Sequence, residues 1–343
     1  MFYLKYRPKT IQDLDNSQVK EIVKRILTSK DLPHALLFIG QKGTGKTSTA
    51  RIFAKAINCL EKTAFEPCNK CKNCLSIDSS SSSDVIELDA ASNRGIEDIR
   101  NLIRESNFYP MTNKFRVFII DEAHMITTDA FNALLKTLEE PPASVIFILA
   151  TTNQEKIPKT IVSRCVIVNF AKAKKSDIIS MLKRIVSKEK AKIDPELLPL
   201  IAKHSDHSFR DATKILEELI VQQKLTFNEG KQFLGILREN FFDSLQKRDL
   251  KETLSWIEDF SQSGGNIKYL LEQLLDELRL ALLAKNGVKT DEVSDLSLEM
   301  KDIILLMKLF SEAYNNLKIS PIESLPLEIA VAEYYNKTNK NGK

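Results

Sequence analysis

The stretch Gly40-Gln41-Lys42-Gly43-Thr44-Gly45-Lys46-Thr47 constrains this chain more than any other. It fits G-x-x-x-x-G-K-[ST], the loop that cradles phosphates in nucleotide hydrolases. Three of the chain's ten glycines fall inside it. A loop that wraps phosphate must bring backbone N–H groups onto the oxygens, and glycine permits both the close approach and the positive φ this needs. The flanks agree with the motif. Ala35-Leu36-Leu37-Phe38-Ile39 is a short apolar run of buried-strand type, and Thr44 to Asn58 reads as a helix whose N-terminal dipole faces the phosphates. In that setting Lys46 reaches the β- and γ-phosphates and the Thr47 hydroxyl holds Mg²⁺.

A second element only gains meaning beside the first. Val117-Phe118-Ile119-Ile120 is an apolar strand ending in Asp121-Glu122, and an acidic pair there offers a metal-site carboxylate (Asp121) and a water-activating carboxylate (Glu122). His124 reads as a packing or hydrogen-bonding residue. Val145-Ile146-Phe147-Ile148-Leu149-Ala150 is a further buried strand, and Thr151-Thr152-Asn153 at its end offers polar groups to a γ-phosphate or attacking water. With Val85 to Leu88 and Val166 to Phe170, five short strands alternate with helical stretches at Ile96 to Ser106 and Thr128 to Glu139, which gives a parallel α/β sheet.

Cys59, Cys68, Cys71 and Cys74 lie within 16 residues. Two-residue gaps let neighbouring thiolates meet at one tetrahedral Zn²⁺, so the cluster predicts a closed, structural zinc site on a small exposed knuckle. The competing readings are four unrelated thiols or an iron–sulfur cluster, whose C-x2-C-x2-C-x3-C-P run is absent. The serine-rich run from Ser79 to Ser83 reads as a flexible connection.

Before the phosphate loop, Tyr6-Arg7-Pro8-Lys9-Thr10 and Ile11 to Gln18 read as an extended arm, with a plain tether as the alternative. A helix from about Val19 to Ser29 follows. After Ser176 the strands stop. Ser176 to Lys188, Pro195 to His204 and Phe209 to Gln222 give three helices, with Arg210 in the first turn of the last, and the stretch beyond Phe227 is helical again. Its stripe of Leu270, Leu271, Leu274, Leu275 and Leu278 is of bundle-core type. The domain division expected is 1–170 for the nucleotide-binding α/β domain, 171–226 for a three-helix lid and 227–343 for an all-α collar. A net charge of +4 is too small to argue nucleic-acid binding by itself. No apolar run approaches a membrane span and the N-terminus has no signal-peptide pattern, so a cytoplasmic protein is expected.

Taken together, these residues resemble the gamma/tau family of bacterial DNA polymerase III. The resemblance rests on Tyr6-Arg7-Pro8, His34-Ala35, the phosphate loop, the four-cysteine insertion, Asp89-Ala90-Ala91-Ser92, Ile120 to Met125, Asn132 to Pro142, Ala150-Thr151-Thr152 and Ser163-Arg164-Cys165. It implies a AAA+ clamp-loader ATPase that opens a ring-shaped sliding clamp and closes it on primed DNA. Such an ATPase belongs to a DNA-directed DNA polymerase complex while carrying no polymerase active site itself. ATP, Mg²⁺ and Zn²⁺ are the implied cofactors. The implied partners are the other subunits of a five-membered hetero-oligomeric ring, the clamp, and primer-template DNA held through its phosphates. By position, Thr152 resembles the first sensor, Arg210 the lid arginine that contacts nucleotide, and Arg164 a finger reaching a neighbouring subunit's γ-phosphate. Tyr6, Arg7 and Pro8 match the adenine-pocket segment. Asn16 and Ser17 stand where a Gly-Gln pair is common, and His207 where Gly is usual.

Two other readings compete. One is the non-hydrolysing stator of the same complex, which shares the cysteines and Ser-Arg-Cys but lacks a working phosphate loop. The other is a branch-migration or helicase motor, which the cysteine insertion disfavours. Arg94 and Arg100 are candidates for DNA phosphate contact. Only nine residues follow Tyr334, so a chain ending there is expected to load clamps without tethering polymerase, and its collar to oligomerise because the leucine stripes need partners.

Overall fold

The structure, a computed structural model, describes residues 1–93, 95–234, 241–242, 244–245, 249–262, 265, 267–288, 296 and 298–339. It divides into two compact units, Met1–Leu225 and Thr226–Lys343.

The first unit is built on five parallel strands: β1 (Ala35–Gly40), β2 (Val85–Asp89), β3 (Arg116–Asp121), β4 (Val145–Thr151) and β5 (Val166–Phe170), in the order β2-β3-β4-β1-β5. Residues 145–151 are buried throughout, as a central strand covered on both faces must be, whereas β5 at the edge exposes Val166, Ile167 and Asn169. Because successive side chains point to opposite faces, β1 feeds two cores at once. Leu36 and Phe38 join α2 (Ser17–Thr28) and α3 (Lys46–Asn58), while Ala35 and Leu37 join α5 (Ile96–Ser106) and α6 (Thr128–Glu139). Parallel register puts the ends of β1, β3 and β4 on one edge, with Ile39 opposite Thr151. The phosphate loop leaves that edge where the chain order reverses, the crevice where open α/β sheets bind ligands.

The N-terminal segment, expected as an extended arm or plain tether, is fixed to the domain. Phe2–Lys5 forms a helical turn (α1), and Ile11 and Leu14 are buried in the sheet's core, so hydrophobic burial fixes this segment to the domain. The helix after it begins at Ser17, two residues earlier than periodicity suggests, because the Asn16 side chain caps it by accepting from Val19 N–H. A short α7 (Lys159–Val162) precedes β5. Where the three-helix lid was expected stand α8 (Lys175–Glu189), α9 (Leu197–Lys203) and α10 (Phe209–Val221), all within the first unit.

The cysteine segment is exposed from Leu60 to Ala64 and at Lys70 and Lys72, but its inner side is buried. Cys71 and Cys74 are buried, α4 (Lys72–Asp78) rises directly from the last pair, and Asn73 is buried with its amide donating to Asn58 O at 2.9 Å. Lys70 and Lys72 are exposed, while Asn73 faces inward where the module packs on α3.

The second unit is helical: α11 (Phe227–Phe233), α12 (Leu250–Gln262), α13 (Ile267–Lys285), α14 (Met300–Asn316) and α15 (Leu325–Asn339), among the described residues. Leu270, Leu271, Leu274 and Leu278 are buried against Ile303, Leu306, Phe310 and Val331 of the same unit. This stripe needs no second chain to cover it, which removes the burial argument for oligomerisation. The Tyr335 hydroxyl is satisfied within the unit by Thr253 at 3.0 Å and Ser244 O at 3.2 Å.

Candidate nucleotide-binding site

The phosphate loop closes on itself through its lysine. Lys46 Nζ donates to the carbonyls of Gly40 and Gln41 at 2.8 and 2.9 Å, and burial lowers its pKa against the opposing pull of Glu122 and Asp121. Gly43 has φ of 80°, and a Cβ there would fall 2.0 Å from the Ser208 hydroxyl. Glycine is therefore required both by conformation and by the approach of the lid, since Ser208 caps α10. Gly45, with φ of 96°, begins α3 and leaves its first N–H groups directed at the loop.

Thr47, in the first turn of α3, donates to Asp121 Oδ2 at 2.6 Å across the end of β4. This pair is the hydroxyl and carboxylate that together hold Mg²⁺ in P-loop enzymes. Glu122 follows with φ of 48°, a left-handed conformation that costs a non-glycine residue free energy and turns its carboxylate into the same cavity. Thr152 donates to Glu122 Oε2 at 3.3 Å, and His124 Nδ1 lies 3.5 Å from that oxygen and 3.1 Å from Thr151 Oγ1. His124 is thus a hydrogen-bonding neighbour of the acidic pair, as its sequence setting suggested.

Thr47, Asp121 and Glu122 line a cavity of about 450 Å³, within the size range of small-ligand sites, while Thr152 and His124 stand behind Glu122 outside its lining. Tyr6, Arg7 and Pro8 form one wall with Asn16, Gly43 to Thr47 form the floor, and Arg210 enters from the lid. Arg210 lies over the Tyr3 ring at 4.8 Å, a cation–π contact that holds it against the N-terminal wall. Arg7 Nε donates to Ser48 Oγ at 2.9 Å, and its pKa is lowered by burial first and by Arg51 second. Tyr3 and Ser48 were not identified from sequence. Ser48 follows the motif directly, whereas nothing in the local pattern marks Tyr3. His207 takes φ of 55°, the conformation for which Gly is usual there, with its Nδ1 3.0 Å from Ala173 O.

Not every candidate converges on the cavity. Arg164 is bound to Glu139 and to Thr160 O, the latter at 2.7 Å, and does not line it. Arg100 is exposed and paired with Glu97 at 2.7 Å, and Arg94 lies outside the described residues.

The four cysteine sulfurs lie within 4.8 Å of one another, with Cys59–Cys71 and Cys68–Cys74 each at 4.0 Å. Sulfurs about 2.3 Å from one tetrahedral Zn²⁺ would be roughly 3.8 Å apart, so the cluster fits zinc with little adjustment. Backbone N–H groups of Cys68 and Cys71 donate to the sulfurs of Cys59 and Cys68 at 3.2 Å each. Burial pushes the Cys74 thiol up. At Cys71 burial acts in the same direction, but hydrogen bonds led by the Cys74 and Leu60 backbone outweigh it and leave that thiol at about 6.

With this geometry in place, comparison with known proteins decides the family. The gamma subunit of DNA polymerase III from Buchnera aphidicola subsp. Baizongia pistaciae is 32% identical over 98% of this chain and 96% of its own length. The chain belongs to the DNA polymerase III gamma/tau subunit family. The gamma/tau subunit of Mycoplasma genitalium is 37% identical over 92% of the chain, and the tau subunit of Bacillus subtilis 38% identical over 83%. The chain spans 55% and 52% of the lengths of these two. The sequence model described as "DNA polymerase III, delta subunit" matches residues 15–174. Among solved structures, the Thermotoga maritima RuvB branch migration motor has a TM-score of 0.51 at 18% identity, covering 84% of this chain and 89% of that one. This likeness shows the shared AAA+ fold. Among the described residues, no helix is long and apolar enough to cross a membrane.

Proposed function

We propose that this member of the gamma/tau family is an ATP-hydrolysing motor subunit of the bacterial clamp loader. It opens the sliding clamp and sets it on primed DNA within DNA polymerase III. The observation that carries the proposal is the Thr47–Asp121 pair at 2.6 Å beneath an intact phosphate loop, with Glu122 in the same cavity. A non-hydrolysing stator has no use for a completed Mg²⁺ site, so this pair favours the motor over the stator.

In this reading ATP lies with its phosphates on Gly43 to Thr47 and its adenosine against Tyr6, Arg7 and Pro8. Lys46 takes the β- and γ-phosphates. Thr47 and Asp121 would hold Mg²⁺, which would supply positive charge against the developing negative charge. Glu122 orients and deprotonates the attacking water, and Thr152 fixes the Glu122 carboxylate through its hydroxyl. Arg210 binds the nucleotide from the lid. Arg164, absent from this chain's own cavity, reaches the ATP of a neighbouring subunit in a five-membered ring, where a planar guanidinium suits transition-state charge. The cysteine cluster holds one structural Zn²⁺. DNA is held through phosphates, with Arg94 and Arg100 as contacts.

The test is clamp loading onto a primed circle by the loader reassembled with this chain. Lys46→Ala should abolish both nucleotide binding by the chain and ATP-dependent loading. Loading by the variant at the parental rate would reject the motor assignment.

A further inference from the structure

The segment that walls the cavity is held at three places in the first unit. Its start is tied to the lid. The Met1 ammonium lies 3.3 Å from Glu217, Phe2 N–H donates to Glu217 Oε2 at 2.8 Å, and Lys5 Nζ donates to Glu189 at 2.6 Å. Its middle is tied to α3 through Arg7 and Ser48 at 2.9 Å.

Its far end is held by the cysteine module. The N–H groups of Ile11 and Gln12 donate to the two carboxylate oxygens of Glu66, at 2.8 and 3.0 Å. Lys55, only 1% exposed, spends three donors on Lys9 O at 3.0 Å, Asn69 Oδ1 at 2.7 Å and Asp78 Oδ1 at 2.8 Å. A lysine has three donors, so this set is complete. Glu66 lies in the loop between Cys59 and Cys68, and Asn69 in the turn between Cys68 and Cys71. Both acceptors therefore sit inside loops that a metal would close. Lys55 itself belongs to α3, the helix that Lys46 and Thr47 begin. One buried ammonium thus joins the phosphate-loop helix, the cavity wall and the cysteine module.

We propose that Glu66 and Lys55 are positioning residues through which the metal-loaded cysteine module fixes the Tyr6-Arg7-Pro8 wall, so that metal occupancy sets affinity for the nucleoside end of the bound nucleotide. The proposal rests on reading the cavity as a nucleotide site. The phosphate loop is held by its own lysine and by the sheet, so a loosened wall weakens the grip on adenosine and leaves the grip on phosphates intact.

The test compares the full chain's affinities for Mg-ATP and for inorganic tripolyphosphate, which has no nucleoside, together with zinc content. Glu66→Gln keeps size but leaves one oxygen acceptor for two N–H groups, and Lys55→Met keeps the apolar stem. Both variants are expected to retain one zinc per chain, to bind ATP about tenfold more weakly and to bind tripolyphosphate unchanged. Parental protein stripped of zinc by a chelator under reducing conditions should show the same selective loss, and stripping Glu66→Gln should add little to it. Equal weakening of both ligands, unchanged ATP affinity in the variants, or full additivity of stripping and substitution would overturn the proposal. If Lys55→Met fails to fold, Glu66→Gln and the stripped parental protein decide. A parental chain that binds neither ligand would overturn the nucleotide reading and this proposal with it.

Discussion

Thr47 and Asp121 are 74 residues apart in sequence and share a 2.6 Å hydrogen bond at the carboxyl edge of the sheet. The bond brings together a hydroxyl and a carboxylate, the two oxygen groups that would hold a divalent ion beside bound phosphates. Asp121→Asn keeps the hydrogen bond's shape and removes the pair's one negative charge. Affinity for Mg-ATP should fall by at least about tenfold, while affinity for ATP in excess chelator stays constant. Titration with and without Mg²⁺ checks this, and equal losses in both would place Asp121 outside the metal site.

The Glu122 carboxylate meets Thr152 and His124 and makes no hydrogen bond to the phosphate loop or Lys46. Removing its base function should therefore leave the cradle untouched. Glu122→Gln is expected to bind ATP normally in the assembled loader and to hydrolyse it about 10²- to 10⁴-fold more slowly. Single-turnover hydrolysis measures the step directly, and a parental rate would show that another group activates water.

The strands, the phosphate loop and the acidic pair were legible because each is a local pattern: an apolar run of fixed length, glycines at set spacing, a charge at a strand's end. What escaped the sequence was set by packing across long separations. Lys55 looks like an ordinary surface lysine on a helix, yet 1% exposure and acceptors from Lys9, Asn69 and Asp78 make it a buried junction. The N-terminal segment offers too few apolar residues for a periodic signal, so burial of Ile11 and Leu14 is visible only once α2 and α3 form their partner surface. The leucine stripe at Leu270 to Leu278 declared its helix but not its partner, which is the rest of its own unit.

Arg164 is held in this chain by Glu139 and Thr160, away from the cavity that its own phosphate loop forms. Half-exposed ion pairs of this kind contribute at most about 1 kcal/mol, so the arginine is released at little cost when a neighbour offers a phosphate. Arg164→Ala should leave the chain's melting temperature and ATP affinity unchanged and lower hydrolysis by the assembled ring about 10³-fold or more. ATPase rates of the isolated chain and the ring, measured side by side, decide this. Equal losses in both would reject action on a neighbour.

Asp84 is fully buried at the start of β2, and its carboxylate organises the 111–113 turn. It accepts from the N–H groups of Met111, Thr112 and Asn113 at 2.8, 2.8 and 2.9 Å, and from the Thr112 hydroxyl at 3.1 Å. Burial alone would raise its pKa, but these donors favour the charged form and outweigh it, so the folded-state value lies below the ordinary one. A carboxyl whose pKa is depressed on folding stabilises the protein fully above its unfolded value, near 4, and loses that contribution as pH falls through the folded value. Acid denaturation of the first unit should therefore steepen below about pH 4. Asp84→Asn replaces a carboxylate that serves three N–H donors with a single carbonyl oxygen and puts an amide donor where the second carboxylate oxygen accepted. The variant is expected to lose about 2–3 kcal/mol at pH 7 and to show a flatter stability profile between pH 5 and 3. Urea unfolding at a series of pH values, followed in the full chain, measures both. An Asp84→Asn profile parallel to the parental one would show that Asp84 does not carry the acid transition.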